Sequence, residues 1–69
     1  MVMKFTFGKD TFTCKELLVE DMSLIEVKKG RKLVGRIQNI RLPKTDNPEV
    51  LFLIKNTIKD FVDSEYYKL

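Results

Sequence analysis

Polar and apolar residues alternate at the start of the chain, which is the pattern of a half-buried β-strand. Within residues 1–7, one side of this strand carries Met1, Met3, Phe5 and Phe7. A turn signal at residues 8–10 (Gly-Lys-Asp) follows, and the alternation then resumes. A two-residue loop at either place in this turn puts Phe12 and Cys14 on the same face as the earlier aromatic residues. The pattern therefore predicts an N-terminal β-hairpin whose apolar face needs a cover.

The segment 47–63 has the strongest helical pattern of the chain. Asn47 can cap a helix, Pro48 suits the first helical position, and Glu49 puts a negative charge near the positive end of the helix dipole. Helical spacing places six apolar residues on one stripe: Val50, Leu51, Ile54, Ile58, Phe61 and Val62. Phe52 falls on the opposite side of the helix. We expect the stripe to cover the hairpin and Phe52 to contact a second body.

The middle of the chain supports two interpretations. In residues 15–30, three apolar residues share a helical face, namely Leu18, Met22 and Ile25. We favour a short helix there, beginning at Glu20 or Asp21 and stopped by Gly30. The alternative is a strand over residues 23–27 that leads into a hairpin turn.

Residues 32–42 present the same choice. Four apolar residues match the helical template: Leu33, Val34, Ile37 and Ile40. Gly35 and the β-branched residues weaken that helix, and Pro43 ends the segment. The predicted fold class is α+β, with an N-terminal β-hairpin, short helices and a C-terminal amphipathic helix packed on the sheet. The alternative is a four-stranded antiparallel meander under the same helix.

Size and composition predict one small domain that gains stability from a partner. A chain of 69 residues buries a limited share of its surface, and such domains usually depend on disulfides, metals or oligomerisation. Cys14 is the single cysteine and there is no histidine, so an internal disulfide and a Cys/His metal site are excluded. We interpret Cys14 as a small buried hydrophobic residue and expect no cofactor and no metal.

The charges are unevenly distributed along the chain. Seven positive residues and no acid lie between Glu26 and Asp46: Lys28, Lys29, Arg31, Lys32, Arg36, Arg41 and Lys44. The remaining residues comprise six basic and ten acidic side chains, a net of −4, so the total of +3 conceals a positive middle. One interpretation is a nucleic-acid surface formed by the first six of these residues. The other is a solvated face that meets the acidic ends of a neighbouring copy.

We expect no enzymatic activity and no small-molecule substrate. The acidic pairs of the sequence have no histidine or nucleophile beside them and are better explained by capping and solubility. The longest apolar run is five residues, 50–54, too short to span a membrane, and the alternating N-terminus is not typical of a signal peptide. These features predict a cytoplasmic protein without membrane partners.

The function predicted from these residues is protein–protein interaction in a homo- or hetero-oligomer. The contact surface would comprise Phe52, Leu53 and Lys59 on the far side of the C-terminal helix. Tyr66 and Tyr67, in the tail that follows, could extend this surface or fold back over the core as lids. The alternative function is that of a small basic nucleic-acid-binding protein.

The N-terminal quarter also resembles the starts of small tail and baseplate assembly proteins of tailed bacteriophages. The resemblance is carried by a strand, a Gly-Lys turn, a second strand and a Lys-Glu-Leu-x-Val-x-Asp-Met sequence. Its residues are Phe5, Phe7, Gly8, Lys15, Glu16, Leu17, Val19 and Asp21. The resemblance breaks down after Gly30 and implies a β-hairpin followed by short helices. It also implies a non-enzymatic structural or chaperone-like component of a tail or baseplate, located in the host cytoplasm or the virion.

Overall fold

The computed structural model describes residues 2–38 and 40–68, and within them the chain forms a four-stranded antiparallel sheet followed by an α-helix. The strands, which are neighbours in sequence order, are β1 (Val2–Phe7), β2 (Asp10–Val19), β3 (Met22–Lys29) and β4 (Lys32–Gln38). The helix α1 spans Pro48–Val62 and continues into a π-helical segment, Asp63–Tyr67. The fold class is therefore α+β in its meander form. The predicted position of Met1 lies outside the described residues.

The N-terminal hairpin is confirmed. Phe5 pairs with Phe12 and Met3 pairs with Cys14, so their side chains share one face of the sheet. The loop is Gly8-Lys9, and Gly8 has a φ of 64°, which glycine adopts without the steric cost that a β-carbon adds. Phe12 and Cys14 are fully buried on this face.

The short helix favoured within residues 15–30 is wrong, because this part of the chain is a second β-hairpin. Glu20 and Asp21 do not cap a helix. Both have positive φ, 50° and 65°, as the two central residues of a type I′ turn require. Leu24 and Ile25 point to opposite faces of the sheet and are both buried. Because both of these neighbouring residues are apolar, the sequence here lacks the alternation of apolar and polar residues that usually indicates a strand.

The helical spacing in residues 32–42 has a different origin, a β-bulge. The register between β3 and β4 shifts after Val27, so that Val34 is an extra residue on β4. Val34 and Ile37, three residues apart, consequently pack against the same core. A bulged strand thus imitates the spacing of an amphipathic helix, and the helical interpretation of this segment is also wrong.

The C-terminal helix is confirmed, and it begins where its sequence predicts. Asn47 is the N-cap, and its Oδ1 accepts a hydrogen bond of 2.9 Å from the backbone N–H of Glu49. Three residues of the predicted stripe are buried: Ile54, Ile58 and Val62. Val50, at the start of the stripe, is instead exposed. The helix crosses the sheet, since Lys55 Nζ lies 6.0 Å from the ring centroid of Phe7 on β1, and Phe61 lies over β4.

The core lies between α1 and one face of the sheet. Its buried residues are Phe5, Phe12, Cys14, Ile25, Val27, Leu42, Ile54, Ile58 and Val62. Full burial of a large apolar side chain contributes about 1.5–3 kcal/mol. Leu42 belongs to the connection between β4 and α1, and its N–H donates a hydrogen bond of 2.9 Å to Glu16 Oε2 on β2. Leu24 is buried but lies outside this cluster, because it belongs to the opposite face of the sheet.

Candidate interaction surfaces

The solvent-facing side of α1 carries two adjacent large apolar side chains. Phe52 is 63% exposed and Leu53 is 67% exposed. With Pro48 and Glu49 they line an open depression of about 490 Å³. We call Phe52 and Leu53 the helix patch. Single exposed apolar residues are ordinary on protein surfaces, but a contiguous group around a depression is typical of a contact surface. Phe52 lies on the side predicted from the sequence, and its role in binding stays a prediction.

The remainder of this side of α1 is polar and mainly acidic. A helix turns about 100° per residue, which puts Glu49, Asp60 and Asp63 on the same side as the helix patch. Lys59, the third residue of the predicted interface, lies there too, and its Nζ is 3.3 Å from Asp63 Oδ2. This exposed ion pair contributes little to stability. This side of the helix therefore carries three acids and one cation, of which Glu49 is about one turn from Phe52 and the others are roughly two to three turns away. The ammonium group of Lys55, one turn after Phe52, lies instead near the ring of Phe7.

Tyr66 and Tyr67 do not join the helix patch. They lie roughly 20 Å further along the helix direction than Leu53, given a rise of ~1.5 Å per residue. Their rings meet Phe12 edge-on, with centroid separations of 5.4 Å for Tyr66 and 6.3 Å for Tyr67. Tyr66 is half-buried in this position. The two tyrosines thus fold back over the hairpin, which is one of the two arrangements that the sequence allows.

A polar contact fixes the end of this tail on the sheet. The Tyr67 hydroxyl donates a hydrogen bond to the carboxylate of Asp10, at the start of β2. This hydrogen bond, together with desolvation and the nearby negative charge, raises the pKa of Tyr67 to about 12. Lys29 Nζ lies 3.5 Å from the same carboxylate. Tyr66 has lysine ammonium groups near its ring, 6.0 Å from the centroid for Lys29 and 5.4 Å for Lys32. Its ring therefore contacts both aromatic and cationic groups of the sheet.

The six residues proposed for nucleic-acid binding are divided by the fold. Lys28 and Arg36 lie on the face of the sheet opposite α1, whereas Lys29 and Lys32 lie near Tyr66 on the helix side. The other two lie at opposite ends of β4, and Arg31 is adjacent to Lys29 and Lys32. Arg31 belongs to the β3–β4 turn, and Arg41 follows β4, where its Nε donates to Ser23 Oγ at 3.0 Å. The continuous basic stretch of the sequence thus becomes separate groups on two faces and two ends of the sheet.

On the open face of the sheet, which is the face opposite α1, two of these basic residues form ion pairs with Glu26. Lys28 Nζ lies 3.4 Å from Glu26 Oε1, and Arg36 Nη2 lies 3.3 Å from Glu26 Oε2. Desolvation alone would raise the pKa of Glu26. The hydrogen bonds and positive charges of Lys28 and Arg36 outweigh it and lower the pKa below the usual value for glutamate.

The open face of the sheet also carries an apolar group that the sequence interpretation missed. Leu17 pairs with Leu24, and Val19 pairs with Met22, so that all four point away from α1. We call them the sheet patch. Leu24 is 7% exposed, whereas Val19 and Met22 are exposed. The signal was present in the sequence, because a two-residue turn at residues 20–21 places these four side chains on one face. The helical interpretation of that segment concealed it.

Within residues 2–38 and 40–68, no helix is both long and apolar enough to cross a bilayer. The same residues hold no group of three or more His, Cys, Asp or Glu that could bind a metal ion. The chain matches no protein-family model, no curated protein and no solved structure. Its function is therefore inferred from the geometry of its own side chains.

Proposed function

We propose that this protein is a non-enzymatic interaction component that binds another protein through the helix patch. The observation that carries this proposal is the exposure of Phe52 and Leu53, side by side on the helix face that points away from the core. An isolated domain gains nothing from two large apolar side chains in this position. Burying them against a partner would contribute about 1.5–3 kcal/mol for each side chain.

The helix patch also lies on a regular, capped helix, which supports a binding role. It occupies the first two turns of α1, where the Asn47 cap and Pro48 hold the start of the helix and Ile54 anchors it to the core. A surface that is already ordered loses little conformational entropy on binding. Glu49 and Asn56, about one helical turn before and after Phe52, place polar groups beside the apolar pair, as at the rim of a protein–protein interface.

A structural role in an assembly is the setting we favour. The N-terminal resemblance implies a tail or baseplate of a tailed bacteriophage, and a small domain with exposed apolar groups fits such an environment. The part of the resemblance that concerns the hairpin agrees with β1 and β2, whereas the short helices it implies are strands β3 and β4. The setting therefore rests on the hairpin sequence and the interaction surface together.

Site-specific photo-cross-linking tests this proposal. A photoreactive amino acid is placed at Leu53 and, in a separate variant, at Leu18, which is equally exposed at 67%. Leu18 lies on β2 away from the helix patch, so it reports non-specific collisions. We expect protein adducts from position 53 in the expressing cell and none above background from position 18. Equal yields at the two positions, or none at 53, would refute the proposal.

A gel shift separates this function from nucleic-acid binding. Random DNA and RNA are titrated at two salt concentrations with the wild type and with an Arg31→Glu/Arg36→Glu variant. We expect weak binding at most, because the fold divides the basic residues between the two faces of the sheet and pairs Lys28 and Arg36 with Glu26. Tight, steeply salt-dependent binding that the double substitution abolishes would favour the nucleic-acid function instead.

A further inference from the structure

Each of the two broad faces of this molecule carries an exposed apolar patch, and the two faces differ in charge. The face outside α1 carries the helix patch together with three acids and one cation along the helix, a net of −2 without Lys55, whose ammonium group lies near Phe7. The open face of the sheet carries the sheet patch at the end near the β2–β3 turn and, further along the strands, four cations and one acid, a net of +3 for these five residues. By strand register these charged residues are Lys4, Lys15, Lys28, Arg36 and Glu26. Glu20 and Asp21, in the turn that joins Val19 to Met22, lie next to the sheet patch at the end of this face, and counting them lowers the net charge from +3 to +1.

The two faces lie on opposite sides of the molecule, because α1 packs on the sheet face that the sheet patch does not share. The four side chains of the sheet patch differ in how far they are buried. Leu24 is 7% exposed and Leu17 is half-buried beside it, while Val19 is 50% exposed and Met22 is 40% exposed. A sheet with apolar residues on both faces is typically covered on both. The chain supplies one cover, α1, within the described residues.

We propose that the second cover is α1 of another copy of this chain. In this arrangement, which rests on the proposed function of the helix patch, Phe52 and Leu53 of one copy pack on the sheet patch of the next. The acids along α1 then face the cations of the open sheet face. Opposite charges at the rim favour this pairing and exclude others.

The two symmetric alternatives are disfavoured by charge. A dimer that joins two helix patches brings Glu49 and Asp60 of both copies to one interface. A dimer that joins two open sheet faces brings together two sets of cations, including Lys4 and Lys15. Like charges placed across an interface are destabilising. The head-to-tail contact is the pairing in which both the apolar groups and the charges are complementary.

The dimensions allow such a contact. The molecule measures 31 × 29 × 19 Å, so each broad face is on the scale of the ~800 Å² that one partner contributes to a standard interface. Because the two contacting surfaces differ, each copy in such a contact still offers one free face. Association therefore continues to a closed ring or an open filament and does not stop at a dimer.

Complementary single-face variants test this inference by light scattering on size-fractionated protein. Phe52→Asp disables the helix patch and leaves the sheet patch intact. Val19→Glu adds a negative charge to the sheet patch and leaves the helix patch intact. Leu18→Asp, on the same strand but outside both patches, is the matched control. Circular dichroism establishes that each variant is folded.

We expect the wild type and Leu18→Asp to increase in mass with concentration, and each single-face variant to remain at the monomer mass of 8.1 kDa. An equimolar mixture of the two single-face variants should form a dimer of twice that mass and nothing larger, since one functional interface remains. If Val19→Glu associates like the wild type while Phe52→Asp is monomeric, the contact is a symmetric one through the helix patch. That result overturns this inference and leaves the proposed function intact.

A wild type that stays monomeric at every concentration would also overturn the head-to-tail contact. The cross-linking comparison of positions 53 and 18 then decides separately whether the helix patch binds a different protein. The two proposals can therefore fail independently of each other.

Discussion

The ring of Phe61 on α1 lies directly on Gly35 of β4, so closely that a β-carbon at position 35 would be 2.6 Å from Phe61 Cζ. The backbone of Gly35 does not have positive φ, so the glycine is needed for space and not for conformation. This contact brings the C-terminal half of the helix against the last strand. It also explains a glycine in the interior of a strand, where glycine is otherwise unfavourable.

Gly35→Ala should therefore destabilise the fold by about 1–3 kcal/mol, as expected for an overpacked contact, measured by urea denaturation. Phe61→Leu in the same background should recover part of this loss, because the shorter side chain makes room for the methyl group. The double-mutant cycle should show coupling of at least ~0.5 kcal/mol. Additive effects of the two substitutions would show that the steric account is wrong.

Gly30→Ala provides a contrast with a different cause. No atom lies within 4 Å of a β-carbon at position 30, but φ there is 60°. We expect a loss of about 1–2 kcal/mol from backbone strain alone. Phe61→Leu should not alter this loss.

The hydrogen bond from Leu42 N–H to Glu16 should hold the β4–α1 connection against the sheet. Glu16→Ala removes the acceptor of a partly buried donor, which should cost about 1–3 kcal/mol. Glu16→Gln retains an acceptor oxygen and should cost less. Hydrogen exchange at the Leu42 amide measures the effect directly. Faster exchange in Glu16→Ala and near wild-type exchange in Glu16→Gln are expected, whereas equal exchange in all three proteins would exclude this role.

The contact between Tyr67 and Asp10 should produce an alkaline transition. The folded pKa of Tyr67, about 12, lies above the ordinary tyrosine value of 10.0, so the folded state favours the protonated phenol. The stability from this contact is fully present below pH 10 and is lost as the pH rises toward 12. A phenolate absorbance titration should show a tyrosine transition near pH 12 that Tyr67→Phe removes. Asp10→Asn should lower the pH of this transition, and a transition that is unchanged by both substitutions would contradict the assignment.

The thiol of Cys14 should be protected from chemical modification in the folded protein. Burial raises the pKa of Cys14 to about 11, from an ordinary value of 9.0, because the interior disfavours the thiolate. A thiol-specific reagent at neutral pH should react slowly with the native protein and rapidly in denaturant. The matched control is a Lys9→Cys/Cys14→Ala variant, whose thiol lies in the exposed β1–β2 turn and should react rapidly without denaturant. Fast reaction of Cys14 in the native protein would mean that the reagent reaches the face of the hairpin on which Cys14 lies.

The parts of the fold that were predictable are those determined by neighbouring residues. The N-terminal hairpin follows from alternation and a glycine turn, and α1 follows from a cap, a proline and a periodic stripe. The two central strands were not predictable in the same way. Apolar residues on both faces at Leu24 and Ile25, and the bulge at Val34, produced helical spacing in strands.

The candidate surfaces likewise divide into those that neighbouring residues predict and those that depend on strand pairing. The helical wheel predicts that Phe52 is exposed, because it places Phe52 opposite the apolar stripe that faces the core. The sheet patch depends on the pairing of Val19 with Met22, which follows only when residues 20–21 are recognised as a turn. The dispersal of the basic residues depends on which strand face each occupies, and charge order along the chain does not encode this.

The sequence by itself determined the N-terminal hairpin, the C-terminal helix and the apolar residues at the exposed side of that helix. These features depend on local spacing, capping and turn chemistry, which act over a few residues. The tertiary structure decided that the middle of the chain is strand, that Tyr66 covers Phe12, and that a second apolar group lies on the open sheet face. Each of these depends on pairing between residues distant in sequence, whose free energy depends on the assembled sheet and not on any single segment.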